Sequence, residues 1–501
     1  MPCRIRRWTA ALTLLLLAFA VPTLAAPPNI VFVIADDLGY GDVGCFGQTK
    51  IRTPNIDQLA KDGLRLTQHY SGNAVCAPSR CVLMTGLHPG HAQVRNNRAT
   101  PPEGQWPLVA GTVTLPRLLQ QCGYVTGGFG KWGLGGPGSD GQPLKQGINR
   151  WFGYYCQGVA HNHYPTYLWD DDRRFPLKNP EFAAHQKLPD GADVNDPKSY
   201  AGYRGTQFAM DLIADEAVNF VKSNKARPFF LYFPSIIPHL ALQAPEDAVA
   251  EYKGAFPETP YPGGGGYLPN QTPRATYAAM VSRLDKHVGM LVAAVREAGV
   301  FDNTIFVFTS DNGPLYGQYA GTDCEFFNSN GGLRGRKGSL YEGGFREPTV
   351  IAWKGKIAAG TSSDRVTGFE DWLPTLLELA GLKDKTPAGL DGISFVPTLL
   401  GQSQQPRPFL YREFPAYGGQ QCVRIGDWKG VRQNLMPGGA KKAKPAAAPN
   451  MRIELYDLKN DWQETKDVSA EHPDVVARIE KLMREQHTPN PEFPFPALDR
   501  L

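Results

Sequence analysis

The chain has 501 residues, 42% of them hydrophobic, with 52 Lys and Arg against 48 Asp and Glu and a formal net charge of +4. So small a surplus excludes the basic field that nucleic-acid binding requires, while the length permits a large core and two or more domains. Eight cysteines at wide spacings fit neither a small disulfide-stapled scaffold nor a zinc site.

Residues 1–26 carry Arg4, Arg6 and Arg7, an apolar run from Ala10 to Val21, and then Thr-Leu-Ala-Ala. This is the layout of a cleaved export signal, with an apolar run too short for a comfortable membrane span. Cleavage after Ala25 or Ala26 removes Cys3 and three arginines, leaving 49 basic against 48 acidic residues. The mature protein is expected to be secreted or periplasmic, with no transmembrane segment.

The run from Asn29 to Ala35 is continuously apolar after its first residue and rich in β-branched side chains, as in a strand buried on both faces of a parallel sheet. It ends at Asp36 and Asp37. Two adjacent carboxylates there repel each other and lose hydration, so they mark either a solvated loop or a hard cation taking oxygen ligands.

Between Ala74 and Gly90, Pro78 suits the first turn of a helix predicted to begin near Ser79. Cys76 then lies at a helix N-terminus with the cation of Arg80 one turn on, a setting for an anion. Taken alone, Cys76 reads equally as a buried thiol or half of a disulfide. The other six cysteines left after export permit disulfides without revealing their pairing.

Tyr124 to Phe129 and Pro228 to Phe233 read as further strands, followed by Lys131 and His239 respectively. Each of these two side chains is a solvated loop residue or part of a site at the strand ends. Residues 135–275 are rich in Gly, Pro and aromatics. Trp151, Phe152, Tyr154 and Tyr155, then His161, His163 and Asp170 to Asp172, offer either a sugar-binding wall or a packed insertion. The stretch from Pro260 to Pro269, with four successive glycines, reads as a mobile loop.

Apolar residues at three–four spacing predict a helix from Thr276 to Ala298, closed by Gly299, and Thr304 to Thr309 reads as a strand leading to Asp311 and Asn312. Ligands of open α/β sheets gather at the carboxyl ends of strands. Asp36, Asp37, Asp311 and Asn312 would supply oxygen there, which suits Ca²⁺, Mg²⁺ less well, and zinc not at all. The glycine-rich basic loop from Leu333 to Gly344 is a flexible turn or an anion clamp led by Lys337. Pro348 to Trp353 reads as a strand and Phe369 to Ala380 as a helix. Beyond residue 400, short strands, an unstructured insert at 438–449 and a helix from Pro473 to Gln486 form a C-terminal subdomain, so the expected division is 27–400 and 401–501.

Cys76-Ala-Pro-Ser-Arg80, followed after three residues by Met84-Thr-Gly86, resembles the signature of the type I sulfatases, of the arylsulfatase and N-acetylgalactosamine-sulfatase kind. The resemblance covers nearly the whole mature chain. It implies an alkaline-phosphatase-like α/β sandwich, with a large, mainly parallel sheet between helices and a small C-terminal antiparallel sheet with one helix. It also implies that a formylglycine-generating enzyme oxidises Cys76 to formylglycine. A hydrated aldehyde has two hydroxyls on one carbon, so one can attack sulfur and the other can expel sulfate by C–O cleavage. By the same resemblance, Ca²⁺ rests on Asp36, Asp37, Asp311, Asn312 and modified Cys76, and Arg80 holds the hydrate. Lys131 and Lys337 bind sulfate oxygens, and His239 protonates the leaving alcohol of a sulfated carbohydrate or aryl sulfate.

The sequence departs from that pattern at Gly133, where a histidine is usual, and at Leu87, where arginine is common. His88, His91, His161 and His163 are candidates to replace the missing imidazole, and the insertion pair is favoured because a loop crossing the strand ends reaches the pocket from above. The same pair is otherwise expected to bind sugar hydroxyls. Two alternatives are a formylglycine-dependent phosphodiesterase or phosphonate monoester hydrolase, and a non-catalytic protein that binds sulfated glycans.

Overall fold

The computed structural model describes residues 26–315, 317–436 and 448–500. The export signal read over 1–26 and the insert at 438–449 fall almost wholly outside them.

Ten strands form one sheet, in the order Thr361–Ser363, Leu64–Leu66, Thr349–Ala352, Thr304–Ser310, Asn29–Asp36, Phe229–Pro238, Val125–Lys131, Arg150–Tyr154, Tyr167–Asp170, Arg173–Pro176. The five from Thr304–Ser310 to Arg150–Tyr154 run parallel, and the strands beside them on either side run antiparallel. In the Asn29–Asp36 strand, Val31, Val33 and Ala35 enter one core, with helices Pro54–Asp62, Ala209–Asn224 and Pro273–Glu297. Ile30, Phe32 and Ile34 enter the opposite core, with helices Cys76–Thr85, Leu115–Gln121 and Trp372–Leu379. A continuous apolar run is what a strand covered on both faces requires. This is the α/β sandwich that the resemblance implies.

Several boundaries differ from expectation for local reasons. The long helix begins at Pro273 rather than Thr276, because proline fits the first helical position. The helix expected from Ser79 begins at Cys76: Pro78 stands third, where an N–H has no partner within the helix to lose. It closes at Gly86, whose φ of 70° is left-handed and whose N–H donates to the Val82 carbonyl. The Val125–Lys131 strand runs on to Lys131 itself.

The C-terminal strands Leu410–Phe414, Gln420–Ile425, Trp428–Arg432 and Glu454–Asp457 pair antiparallel in sequence order. Val475, Ile479 and Met483 of the Pro473–Glu485 helix cover them by packing with Tyr411, Val423 and Leu455. Gly430 is required under that helix, since a Cβ there would lie 2.6 Å from Ile479 Cγ2. This sheet braces two loops of the main domain. Asn73 Nδ2 donates to the Glu413 carbonyl (2.9 Å) and Arg412 Nε to the Ser71 carbonyl (2.8 Å). Gln420 Nε2 donates to the Gly338 carbonyl (2.6 Å), while Leu340 N–H donates to Gln420 Oε1 (2.9 Å). None of the seven described cysteines is disulfide-bonded.

Candidate active site

Asp36 ends one central strand, and Asp311 and Asn312 follow its neighbour; all three are fully buried. Asp37 takes a left-handed φ of 63°, a conformation L-residues adopt rarely, which breaks the strand's alternation and brings its carboxylate to the same site. Its N–H donates to Asp311 Oδ1 (3.3 Å), and Asn312 Nδ2 donates to Asp37 Oδ1 (2.7 Å). Asn312 Oδ1 is buried with no hydrogen-bond partner.

The Cys76 thiol lies on this cluster, 3.3 Å from Asp36 Oδ1 and 3.7 Å from Lys337 Nζ. Arg80, one helical turn on and fully buried, donates from Nε (3.0 Å) and Nη2 (2.8 Å) to Asp311 Oδ2, reaches Asp36 Oδ2 at 3.3 Å, and bonds the Lys131 carbonyl. Lys131 Nζ sits on Asp36 Oδ2, and Lys337 Nζ lies 2.7 Å from Asp37 Oδ1. The Lys337 loop is held in place, since Lys337 N–H donates to the Pro314 carbonyl and Gly338 N–H to the Ala74 carbonyl beside Cys76. Its neighbours turn away: Arg334 stacks on Tyr341 and Arg336 pairs with Glu325.

Three carboxylates therefore face three fixed cations. Burial opposes ionisation of Asp36, but Lys131, His239 and Arg80 outweigh it and hold the carboxyl well below the usual range. Burial, together with the charge of Asp36, pushes Asp311 up to about 6. Burial and Asp36 likewise push the Cys76 thiol up to about 12. At neutral pH that thiol is protonated and a poor nucleophile. The donor set fits a hard divalent cation: clustered oxygens from Asp36, Asp37 and Asp311 with the orphaned Asn312 Oδ1 beside them. With such an ion the cluster would carry net positive charge, as binding a sulfate requires. Ligand atoms of Asp36, Asp37, Cys76 and His239 all lie within 4.8 Å of one another.

His239 Nδ1–H donates to the Leu240 carbonyl (2.7 Å), which directs Nε2 towards Asp37 Oδ2 at 3.5 Å. Burial and Lys337 pull its pKa well below the ordinary value. The His161 ring stacks on His239, with centroids 5.2 Å apart and planes 13° from parallel. His163 is fully buried behind them; its Nε2–H donates to the His239 carbonyl (3.0 Å) and its ring stacks on Phe208.

The sulfatase family model matches residues 28–382, and a model described as N-sulphoglucosamine sulphohydrolase, C-terminal, matches residues 336–488. This chain belongs to the sulfatase family. Human arylsulfatase A is 34% identical over 93% of this chain and 89% of its own length. N-acetylgalactosamine-6-sulfatase of Mus musculus is 32% identical over 84% and 76%. A solved structure of Ps i-CgsB in complex with k-i-k-neocarrahexaose is 26% identical, covers 92% of each chain and superposes with a TM-score of 0.69. The protein is a sulfuric ester hydrolase.

In this sulfatase the space beside Gly133 is taken by Gln157. A Cβ at Gly133, whose φ is +80°, would lie 3.1 Å from Gln157 Nε2, a buried nitrogen without a hydrogen-bond partner. His88 and His91 do not lean into that space. They stack on each other at 4.3 Å, His91 binds Asp391 (2.9 Å), and His88 meets Gln486 (3.1 Å). His88 thus ties the segment after the Cys76–Thr85 helix to the C-terminal helix, and His91 ties it to Asp391. Trp151, Phe152, Tyr154 and Tyr155 are buried, and Arg150 pairs with Asp170 and Asp171, so this part of the aromatic insertion is packing.

The stretch read as a mobile loop is tied down, with Tyr261 and Asn270 exchanging backbone hydrogen bonds (2.7 and 2.9 Å) and Gln186 N–H donating to the Tyr267 carbonyl. It brings the Tyr267 ring to 5.1 Å from His161 and 4.6 Å from His185. Sequence reasoning missed Gln157, His185 and Tyr267. A lone His or Tyr in an irregular insertion has no periodicity to reveal its partner; only the glycine at 133 signalled that another residue must fill the gap.

Proposed function

We propose that this sulfatase is exported, depends on Ca²⁺, and hydrolyses sulfate esters of carbohydrates through a formylglycine formed from Cys76 by a formylglycine-generating enzyme. The observation that carries the reading is the meeting of Cys76, Asp36, Asp37, Asn312, Lys131 and Lys337 in one buried cluster, with the Asn312 Oδ1 left without a partner. The names of the relatives support a carbohydrate substrate, and the Arg4, Arg6, Arg7 and apolar layout of residues 1–26 supports export. Among the described residues no helix is long and apolar enough to cross a membrane.

In this reading Asp36, Asp37, Asp311 and Asn312 hold the cation, which supplies Lewis-acid stabilisation of charge on the sulfuryl oxygens. The aldehyde hydrate supplies a nucleophile with a built-in exit. Lys131 and Lys337 each leave a carboxylate partner to share their charge with the sulfate and hold it in line. Arg80, fixed by Asp311, orients the modified residue. His239, its ring held by the bond from Nδ1 to Leu240, turns Nε2 towards the departing alcohol oxygen and protonates it once the bound sulfate has favoured a second proton on the ring. His161 contacts the sugar, and His163 supports the backbone of His239.

The test is to produce the chain beside a formylglycine-generating enzyme and screen defined sulfated oligosaccharides together with nitrophenyl sulfate and nitrophenyl phosphate esters. Sulfated sugars should be turned over fastest. Preference for the phosphate esters, or no turnover of any sulfate while the aldehyde is present, would reject the proposal.

A further inference from the structure

We propose that His185 locks His161 in one tautomer, making it a one-way hydrogen-bond donor to an acceptor atom of the sugar being cut. This deepens the reading in which His161 contacts the substrate, and rests on it for the identity of the ligand.

The argument follows protons through a chain of contacts. The backbone N–H of Tyr267 donates to His185 Nδ1 at 2.9 Å. A ring nitrogen that accepts carries no hydrogen, so His185 holds its proton on Nε2. That Nε2 lies 3.3 Å from His161 Nδ1. Two nitrogens at this distance need one hydrogen between them, and His185 supplies it. His161 Nδ1 is therefore an acceptor, and the hydrogen of the neutral His161 ring sits on Nε2. No described group hydrogen-bonds to that N–H. Each link also polarises the next, which strengthens the outward donor.

The surroundings fix the direction as well as the tautomer. One face of His161 lies on His239 at 5.2 Å, and Tyr267 packs at 5.1 Å, so the ring cannot rotate to present its other nitrogen without leaving both. His185 is exposed and His161 is half-buried, which places the pair on the open side of His239. The ligand selected is one that accepts: a hydroxyl, an ether oxygen or an acetamido carbonyl. A free amino group, which is an ammonium at neutral pH and has no lone pair to offer, is rejected at this position. The flexible reading of a histidine, donor or acceptor as required, is thereby removed in favour of discrimination.

Two measurements test this on the mature protein and its variants His185→Ala and His185→Gln. The first is long-range ¹⁵N–¹H NMR with histidine-selective labelling, the His161 signals being assigned from His161→Gln. The expected pattern is hydrogen on Nε2 with bare Nδ1 in the wild type, a mixture of tautomers in His185→Ala, and return of the single tautomer in His185→Gln, whose amide retains both a donor and an acceptor. The second is steady-state kinetics on N-acetylgalactosamine 6-sulfate. His185→Ala should raise KM about tenfold, with kcat changed less than about twofold, and His185→Gln should recover most of the loss. Hydrogen on Nδ1 of His161 in the wild type overturns the proposal, as does a single unchanged tautomer in His185→Ala. If the tautomers behave as expected but the sugar sulfate is not a substrate, the lock stands and the assigned substrate falls, so the two failures are distinct.

Discussion

The Cys76 thiol and the Lys337 ammonium lie 3.7 Å apart, although 260 residues separate them in the chain, and they rest on adjacent carboxylates at the end of one strand, Cys76 on Asp36 and Lys337 on Asp37. In the proposed mechanism, the residue that becomes an aldehyde thus already lies beside the cation that would hold the sulfate.

The first prediction concerns that residue. Protein made beside a formylglycine-generating enzyme should yield a peptide spanning Cys76 in which the thiol sulfur has been replaced by an aldehyde oxygen, read by mass spectrometry. Cys76→Ala should have no sulfatase activity. A fully active preparation holding only the unmodified thiol would sink the mechanism.

Lys337 tests electrostatic stabilisation. Removing one preorganised donor from such a site costs about 10²–10³-fold in kcat, so Lys337→Ala should lose that much while unfolding at nearly the wild-type temperature. Lys337→Ala with kcat within about tenfold of wild type would remove this residue from the sulfate site.

The cation is best probed at Asn312, because its orphaned Oδ1 has no other use among the described residues. Asn312→Ala should weaken Ca²⁺ retention by about tenfold or more, measured by metal analysis after dialysis, and Asn312→Asp should retain the ion. Equal metal content in all three proteins would exclude Asn312 as a ligand.

A separate prediction links pH to stability. His69 is fully buried, accepts from Trp372 Nε1–H (3.1 Å) at Nε2, and donates from Nδ1 to Thr367 Oγ1 (2.8 Å), so the fold requires it neutral. Burial, opposed by Glu370, pulls its pKa from 6.5 down to about 3. Between those values only the unfolded chain takes the proton. Stability from this group is therefore present above 6.5 and lost as pH falls towards 3, at up to about 1.4 kcal/mol per pH unit. Denaturant midpoints across this range should fall less steeply in His69→Gln, which has a donor and an acceptor but does not titrate. Identical slopes would assign the acid sensitivity elsewhere.

Much of the fold could be read along the chain because its signals are local. Ile30 to Ala35 is apolar at every position since both faces are covered, and Asp36, Asp37, Asp311 and Asn312 stand at or immediately after the ends of their strands. Short-range chemistry also marked Cys76 and Arg80. What could not be read was tertiary. His163 and His161 are two residues apart, yet one supports the His239 backbone and the other stacks on its ring. His88 and His91 were drawn by proximity in sequence to the nucleophile, whereas Asp391, which holds them, is three hundred residues away. His185 and Tyr267 lie in segments without periodicity, and a bond from the Tyr267 N–H to the His185 ring, with packing of the two rings, brings them together.

The braces from the C-terminal sheet set an order of events in the life of the molecule. Asn73 waits for Glu413, Ser71 for Arg412, and the Lys337 loop for Gln420. In a chain synthesised from its N-terminus these braces arrive only with the last hundred residues, so the loops on either side of Cys76 are fixed late, and in the finished protein Cys76 is only 1% exposed. A formylglycine-generating enzyme acting on Cys76 as proposed would then work against a deadline, set by how quickly the far end of the polypeptide is made and folds. Chains made without the maturing enzyme and halted before Leu410 should leave Cys76 open to thiol alkylation, and full-length chains should protect it.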